Sequence, residues 1–231
     1  MATEMRMKTI LTLLLMAAIS IPAHGQETAE GWLEEGNALY IEGNYEEALL
    51  AFEEAISLNP EYPLAWNNKG NVLNIQGDYE EALLAFEEAI SLDAEFAMAW
   101  NNLGIAHYYQ GDYEEADQAY EEAISLDPEY ADAWNNKGNA LYSLEDYDGA
   151  IEAYDEALDL NPEMTTAWYN KGNALHSLED YDGAIEAYYG ALSLDPEYAY
   201  AWNNLGIALE ALGRTTEAEE AYARAQELWT E

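Results

Sequence analysis

A chain of 231 residues with 47 acidic and 7 basic side chains is half hydrophobic and carries 7 Trp and 19 Tyr, so it holds apolar surface enough to fold in spite of a formal charge of −40. That charge repels phosphates and anionic headgroups, which disfavours nucleic-acid and membrane-surface roles and favours neutral or basic partners or cations. The absence of cysteine excludes disulfides, thiolate metal sites and a cysteine nucleophile.

The first element expected along the chain is a secretory leader. Arg6 and Lys8 precede an apolar run from Thr9 to Ile21, and Pro22 is followed by Ala23 and Gly25 around His24, so residues 1–25 read as a signal peptide cleaved after Gly25. The run is shorter than the roughly 20 residues that span a bilayer, which makes an uncleaved anchor the lesser alternative. The mature chain is expected to be secreted, extracellular or in the periplasm or cell envelope, with no membrane insertion after cleavage. Losing Glu4, Arg6 and Lys8 removes one negative and two positive charges and brings the net charge to about −41.

Residues 26–231 are repetitive. Tryptophan recurs every 34 residues at Trp32, Trp66, Trp100, Trp134, Trp168 and Trp202, with glycine four residues later (Gly36 to Gly206) and alanine sixteen later (Ala48 to Ala218). An aromatic stands twenty later (Phe52, Phe86, Tyr120, Tyr154, Tyr188, Tyr222). In the second copy Trp66, Gly70 and Leu73 form one helical stripe, and Ala82, Phe86, Ala89 and Ile90 form another. Between them Gly77 is placed to end the first helix in a left-handed conformation, and Asp78 with Glu81 reads as a capping box. Asn44 with Glu47 and Asp112 with Glu115 repeat that box, and Pro60, Pro128, Pro162 and Pro196 stop the second helix. A glycine within a helix costs about 1 kcal/mol relative to alanine. Six of them are expected to allow close approach to small residues such as Ala82 and Ala89, with the aromatic ladder as core rather than a ligand cage.

These residues resemble the tetratricopeptide repeat (TPR) family, whose signature runs W-x2-L-G-x2-Y, A-x3-F and P over 34 residues. The resemblance implies an all-α, right-handed α-solenoid of six helix-turn-helix repeats at 29–62, 63–96, 97–130, 131–164, 165–198 and 199–231. The leucine before glycine survives as Leu103 and Leu205 but is Lys69, Lys137 and Lys171 elsewhere and Glu35 in the first copy, sites expected to be partly solvated. Leucine replaces most of the family's tyrosines, Ala94 one proline, and Glu145 and Glu179 the turn glycine. No further polar helix follows the last unit, which suggests end-to-end self-association.

No catalytic or metal-ligating constellation emerges, and no cofactor is expected. His107 and His176 read as ordinary variants of Tyr142-like positions, and Ser57, Ser91, Ser125 and Ser193 as structural residues without a paired base. The D-Y-D-G segments at 146–149 and 180–183 lack the third position and terminal glutamate of a calcium loop and read as turn chemistry. Glutamate pairs such as Glu46–Glu47 and Glu80–Glu81 mark a solvated outer face, a high-salt or solubility feature with at most weak divalent-cation binding.

The resemblance further implies that first helices line a concave surface that holds extended or helical peptides. The positions one after the tryptophans are Asn67, Asn101, Asn135, Tyr169 and Asn203, and those five after include Asn37, Asn71, Asn139 and Asn173. With Tyr40, Tyr108, Tyr109 and Tyr142 nearby, they are expected to meet a partner's backbone and apolar side chains. Asn68, Asn102, Asn136, Asn170 and Asn204 are expected to brace neighbouring helices. Lysine and arginine at inner positions, with which some members clamp acidic C-termini, are replaced here by Asn, Leu, Tyr and Met. The expected function is a noncatalytic scaffold holding a neutral or basic peptide segment; the alternative is an acidic, cation-binding structural component of the cell surface.

Overall fold

The computed structural model describes residues 28–230; the expected leader, residues 1–25, lies outside the described residues. Twelve α-helices and no strand occur among them: α1 (Ala29–Ile41), α2 (Tyr45–Leu58), α3 (Pro63–Gln76), α4 (Tyr79–Leu92), α5 (Ala97–Gln110), α6 (Tyr113–Leu126), α7 (Ala131–Ser143), α8 (Tyr147–Leu160), α9 (Thr165–Ser177), α10 (Tyr181–Leu194), α11 (Ala199–Ala211) and α12 (Thr215–Thr230). Each odd-numbered helix packs on the even-numbered helix after it, and that helix packs on the next pair. Successive odd-numbered helices also approach one another closely (α1 on α3, through to α9 on α11), whereas among the described residues the Cα atoms of successive even-numbered helices stay more than 8 Å apart. The stack is an α-solenoid curved toward its first helices, which form the concave side.

The glycine four after each tryptophan seats the aromatic of the same repeat, not an alanine. A Cβ built on Gly70 would fall 2.5 Å from Phe86, and one on Gly138 2.5 Å from Tyr154. The expectation of close contact with Ala82 and Ala89 is corrected accordingly: the ring needs the space, and the alanines are fully buried around it. Each tryptophan from the second repeat onward donates its indole N–H to the carbonyl six residues earlier (Trp66 to Pro60 at 2.9 Å, Trp100 to Ala94 at 3.2 Å), which fastens the linker to the next first helix.

Helix starts depart from the expected capping boxes. Asn44, Asp78 and Asp112 make no side-chain cap bond, whereas Asp146 and Asp180 accept from the backbone N–H of Gly149 and Gly183 at 3.1 Å. A Cβ on Gly149 would sit 2.6 Å from Asp146 Oδ2, so the glycine of each D-Y-D-G segment makes room for its cap. The turns inside the pairs close through left-handed residues: Gly77 at φ +85, and in the two repeats that lack the glycine Glu145 at φ 63 and Glu179 at φ 62.

Lys69, Lys137 and Lys171 bridge repeats on the flank of the stack, to Glu53 at 2.9 Å, to Asp117 at 3.0 Å and Glu121 at 2.6 Å, and to Asp155. Their side chains are 14–23% exposed, and Lys69 and Lys171 stand 5.8 Å over the Trp66 and Trp168 rings. With Arg214 on Glu217 and Arg224 on Glu227, every basic residue of the described chain is paired.

Candidate functional site

The concave side is built from four positions of each first helix, counted 2, 5, 8 and 9 residues after its tryptophan. In α3 these are Asn68, Asn71, Asn74 and Ile75; in α5, Asn102, Ile105, Tyr108 and Tyr109; in α7, Asn136, Asn139, Tyr142 and Ser143; in α9, Asn170, Asn173, His176 and Ser177. None of these, from α3 to α9, carries a carboxylate, ammonium or guanidinium group, whereas the end helices place Glu34 (α1) and Glu210 (α11) at the same positions. A neutral strip of amides, hydroxyls and rings thus runs along the inside of the middle four repeats of a chain with a net charge of −40.

Three open hollows lie on this strip. The first, about 310 Å³, is lined by Asn37, Tyr40, Ile41, Phe52, Asn68 and Asn71. The second, about 530 Å³, lies between Tyr40, Asn71, Asn74, Tyr79, Ile105 and Tyr109. There Tyr79 and Tyr109 stack with centroids 5.7 Å apart and planes 10° from parallel, Tyr109 is 63% exposed, and the Oδ1 of Asn74 is buried without a hydrogen-bond partner. The third, about 250 Å³, is lined by Tyr142, Asn173, His176, Ser177, Asn204 and Ile207.

The residues expected to meet a partner divide in two. Asn37, Asn71 and Asn173 line the hollows, Tyr142 lines the third, and Asn139 and Tyr108 are half-buried along the strip; Tyr169 and Asn203, directly after their tryptophans, are half-buried beside it, Tyr169 packed on the core against Tyr188 and Tyr198. Asn67, Asn101 and Asn135 are corrected to interior residues, at 0, 3 and 9% exposure, because neighbouring first helices close over the position directly after the tryptophan. Their amides belong to a relay between repeats. Asn68 donates to Asn37 Oδ1 at 2.8 Å and accepts from Asn67 at 3.1 Å; Asn102 donates to Asn67 at 3.0 Å and accepts from Asn101 at 3.3 Å; Asn136 donates to Asn101 at 3.0 Å. The residues two after each tryptophan therefore do brace neighbouring helices, with the interior asparagines as their partners.

The relay stops where Tyr169 replaces asparagine, and there Asn135 Oδ1 is buried without a partner. Asn170 and Asn204 reach instead to Asn139 and Asn173, each at 2.9 Å, and the same two oxygens accept from the Tyr154 and Tyr188 hydroxyls at 2.9 and 3.0 Å. Burial pushes both phenols, and that of Tyr120, well above their ordinary range.

His176 occupies the place of Tyr142, edge-on to Tyr181 at 5.3 Å. His107 does not: it stands one position earlier, in line with the buried Leu73 and Leu209. Its Nδ1 is buried without a hydrogen bond, 4.0 Å from Asp112. Ser57, Ser91 and Ser125 donate to backbone carbonyls three residues back. No group of three or more metal-ligating side chains occurs among the described residues, and no helix there is long and apolar enough to cross a membrane.

A family model described as tetratricopeptide repeat matches residues 33–97, 101–164, 137–199 and 169–231. Curated proteins yield no match. Among solved structures, MamA is 27% identical over 70% of this chain and 94% of its own, with a TM-score of 0.66. YrrB, described as a TPR protein with an unusual peptide-binding site, is 27% identical over 77% of this chain and 92% of its own, at 0.65. PilF of Pseudomonas aeruginosa, at 20% identity, 87% and 92% coverage and a TM-score of 0.78, shares the fold.

Proposed function

Because the chain belongs to the tetratricopeptide repeat family, we propose that it is a noncatalytic interaction scaffold whose concave strip holds a peptide segment of a partner protein. The observation that carries this reading is the contrast in charge: from α3 to α9, between Glu34 and Glu210 at the two ends, an uncharged floor of asparagine, tyrosine and isoleucine lies inside a strongly acidic chain. A surface kept only for solubility has no reason to leave that floor neutral, whereas a partner's backbone and apolar side chains need amide and ring contacts there. The similarity to YrrB, a protein described by its peptide-binding site, supports the same reading. Arg6 and Lys8, the apolar run after them and the small residues Ala23 and Gly25 support export and action outside the cytoplasmic membrane.

The alternative, an acidic outer face that binds cations, is supported by the pairing of every described basic residue, which leaves most carboxylates uncompensated. Such binding is diffuse and screened by salt. End-to-end self-association loses support from α12. Its exposed Glu219 and Gln226 occupy the repeat positions held by Leu83 and Ile90 in α4, so a further repeat would meet polar side chains.

The test is site-specific photocrosslinking in the native envelope, with the probe at Tyr109 in the groove or at Glu87 on the outer face. The reading expects adducts from Tyr109 that Glu87 does not give. Equal yields from the two sites overturn it.

A further inference from the structure

We propose that the groove is shaped for a proline-rich segment in the polyproline II conformation, an inference that rests on the groove reading above. It begins with the orientation of three of the four amides that stand five residues after a tryptophan, Asn37, Asn139 and Asn173. Asn37 Oδ1 accepts from Asn68; Asn139 Oδ1 accepts from Asn170 and Tyr154; Asn173 Oδ1 accepts from Asn204 and Tyr188. For Asn139 and Asn173 both lone pairs of the amide oxygen are filled. Among the described residues the three Nδ2 groups donate to nothing, so this row offers N–H donors to whatever lies in the groove.

Donors require acceptors, and peptide conformations differ in what they present. A helical peptide keeps its carbonyls in internal bonds, and an extended strand brings N–H groups that need acceptors of their own. A proline-rich segment presents free carbonyls, carries no N–H at proline and is held in an open left-handed helix. Its rings need flat apolar partners. The stacked Tyr79 and Tyr109, with Tyr40, Ile75 and Ile105 beside them, supply such a surface in the second hollow, and Tyr142 and His176 do so in the third. The uncharged floor suits an uncharged segment, since neither side is left with a desolvated charge.

The experiment is calorimetric titration of the full chain with a peptide of about ten prolines, alongside a glycine-serine peptide and a lysine-rich peptide of equal length. The proline peptide is expected to bind tightest, with little dependence on salt. Asn139→Asp and Asn173→Asp keep an oxygen for Asn170, Asn204 and the two tyrosines but remove the groove donors, and each is expected to weaken binding about tenfold. Should either variant fail to fold, Tyr109→Ala at a largely exposed position is expected to weaken binding while the chain still folds, with only the small loss of stability that two aromatic contacts imply. A preference for the lysine or glycine-serine peptide that Tyr109→Ala still abolishes overturns the proline-rich ligand and leaves the groove in place. Proline binding untouched by every variant, or no binding, overturns the proposal as well.

Discussion

Repeats 1 and 2 and repeats 4 and 5 support the same groove by different means. In the first pair the ring beneath the groove is Phe52 or Phe86, the amides are tied by the relay through Asn67, and glycine closes the turn. In the second pair the ring is Tyr154 or Tyr188, whose hydroxyl holds Asn139 or Asn173, a glutamate in the left-handed region closes the turn, and an aspartate caps the second helix. Each phenol takes over part of the work of the interior asparagines, which explains how repeat 5 tolerates Tyr169 where the relay needs an amide. The fold fixes which groups must be satisfied and leaves open which side chain satisfies them.

Removing the rings gives the largest expected effect and asks whether the halves are equally deep. Phe86→Ala and Tyr154→Ala each empty a fully enclosed site and are expected to cost about 3–5 kcal/mol in urea unfolding, Tyr154 slightly more because Asn139 loses a donor.

Alkaline pH separates the halves. Buried phenols bind their protons more tightly folded than unfolded, so their contribution is complete below the ordinary value of 10.0 and is lost as pH rises from there through the raised folded range. Repeats 4 and 5 are therefore expected to lose about 1.4 kcal/mol per phenol per pH unit above that point, while Phe52 and Phe86 contribute nothing to the loss. Hydrogen exchange across this range is expected to show α8 to α10 opening before α2 to α4, and uniform opening would remove the distinction. Tyr154→Phe should flatten the slope by one phenol.

The relay gives a third contrast. Asn67→Ala removes a buried amide and strands the Nδ2 of Asn102 and the Oδ1 of Asn68, both half-buried on the concave side, and is expected to cost about 1–3 kcal/mol. Asn203→Ala, at the end of its half, removes one half-buried bond to Asn204 and is expected to cost under about 1 kcal/mol.

The sequence shows why some of this was readable and some was not. The 34-residue period, the paired stripes and the left-handed turn at Gly77 follow from spacing within one helix or one turn, and the structure agrees with them. The partner of Gly70 was a matter of facing between helices, and the true signal was the sixteen-residue offset to Phe86 that the ladder already contained. The interior place of Asn67 was hidden more deeply. On a helical wheel it lies about 40° from Asn71, within the same groove-facing sector, and only the closure of neighbouring first helices buries it. The capping boxes failed for a related reason: Asp78 and Asp146 look alike, and the deciding residue is the glycine three positions later that frees space for the carboxylate.

The smallest effect bears on the turns. Glu145 and Glu179 hold a conformation in which a Cβ crowds the backbone, at a cost of about 1 kcal/mol relative to glycine. Glycine lowers that strain but gives the unfolded chain more freedom, which offsets part of the gain. Glu145→Gly is therefore expected to stabilise by roughly 0.5 kcal/mol, and Gly77→Glu to destabilise by a similar amount, since nothing lies within 4 Å of a Cβ at Gly77 to clash with it. Equal and opposite shifts in the unfolding midpoint would mean that both halves use one turn geometry and differ only in its occupant. A larger loss for Gly77→Glu would mean that repeats 4 and 5 compensate the strained turn elsewhere, and Asp146, whose cap to Gly149 has no counterpart at Asp78, is the residue to remove next.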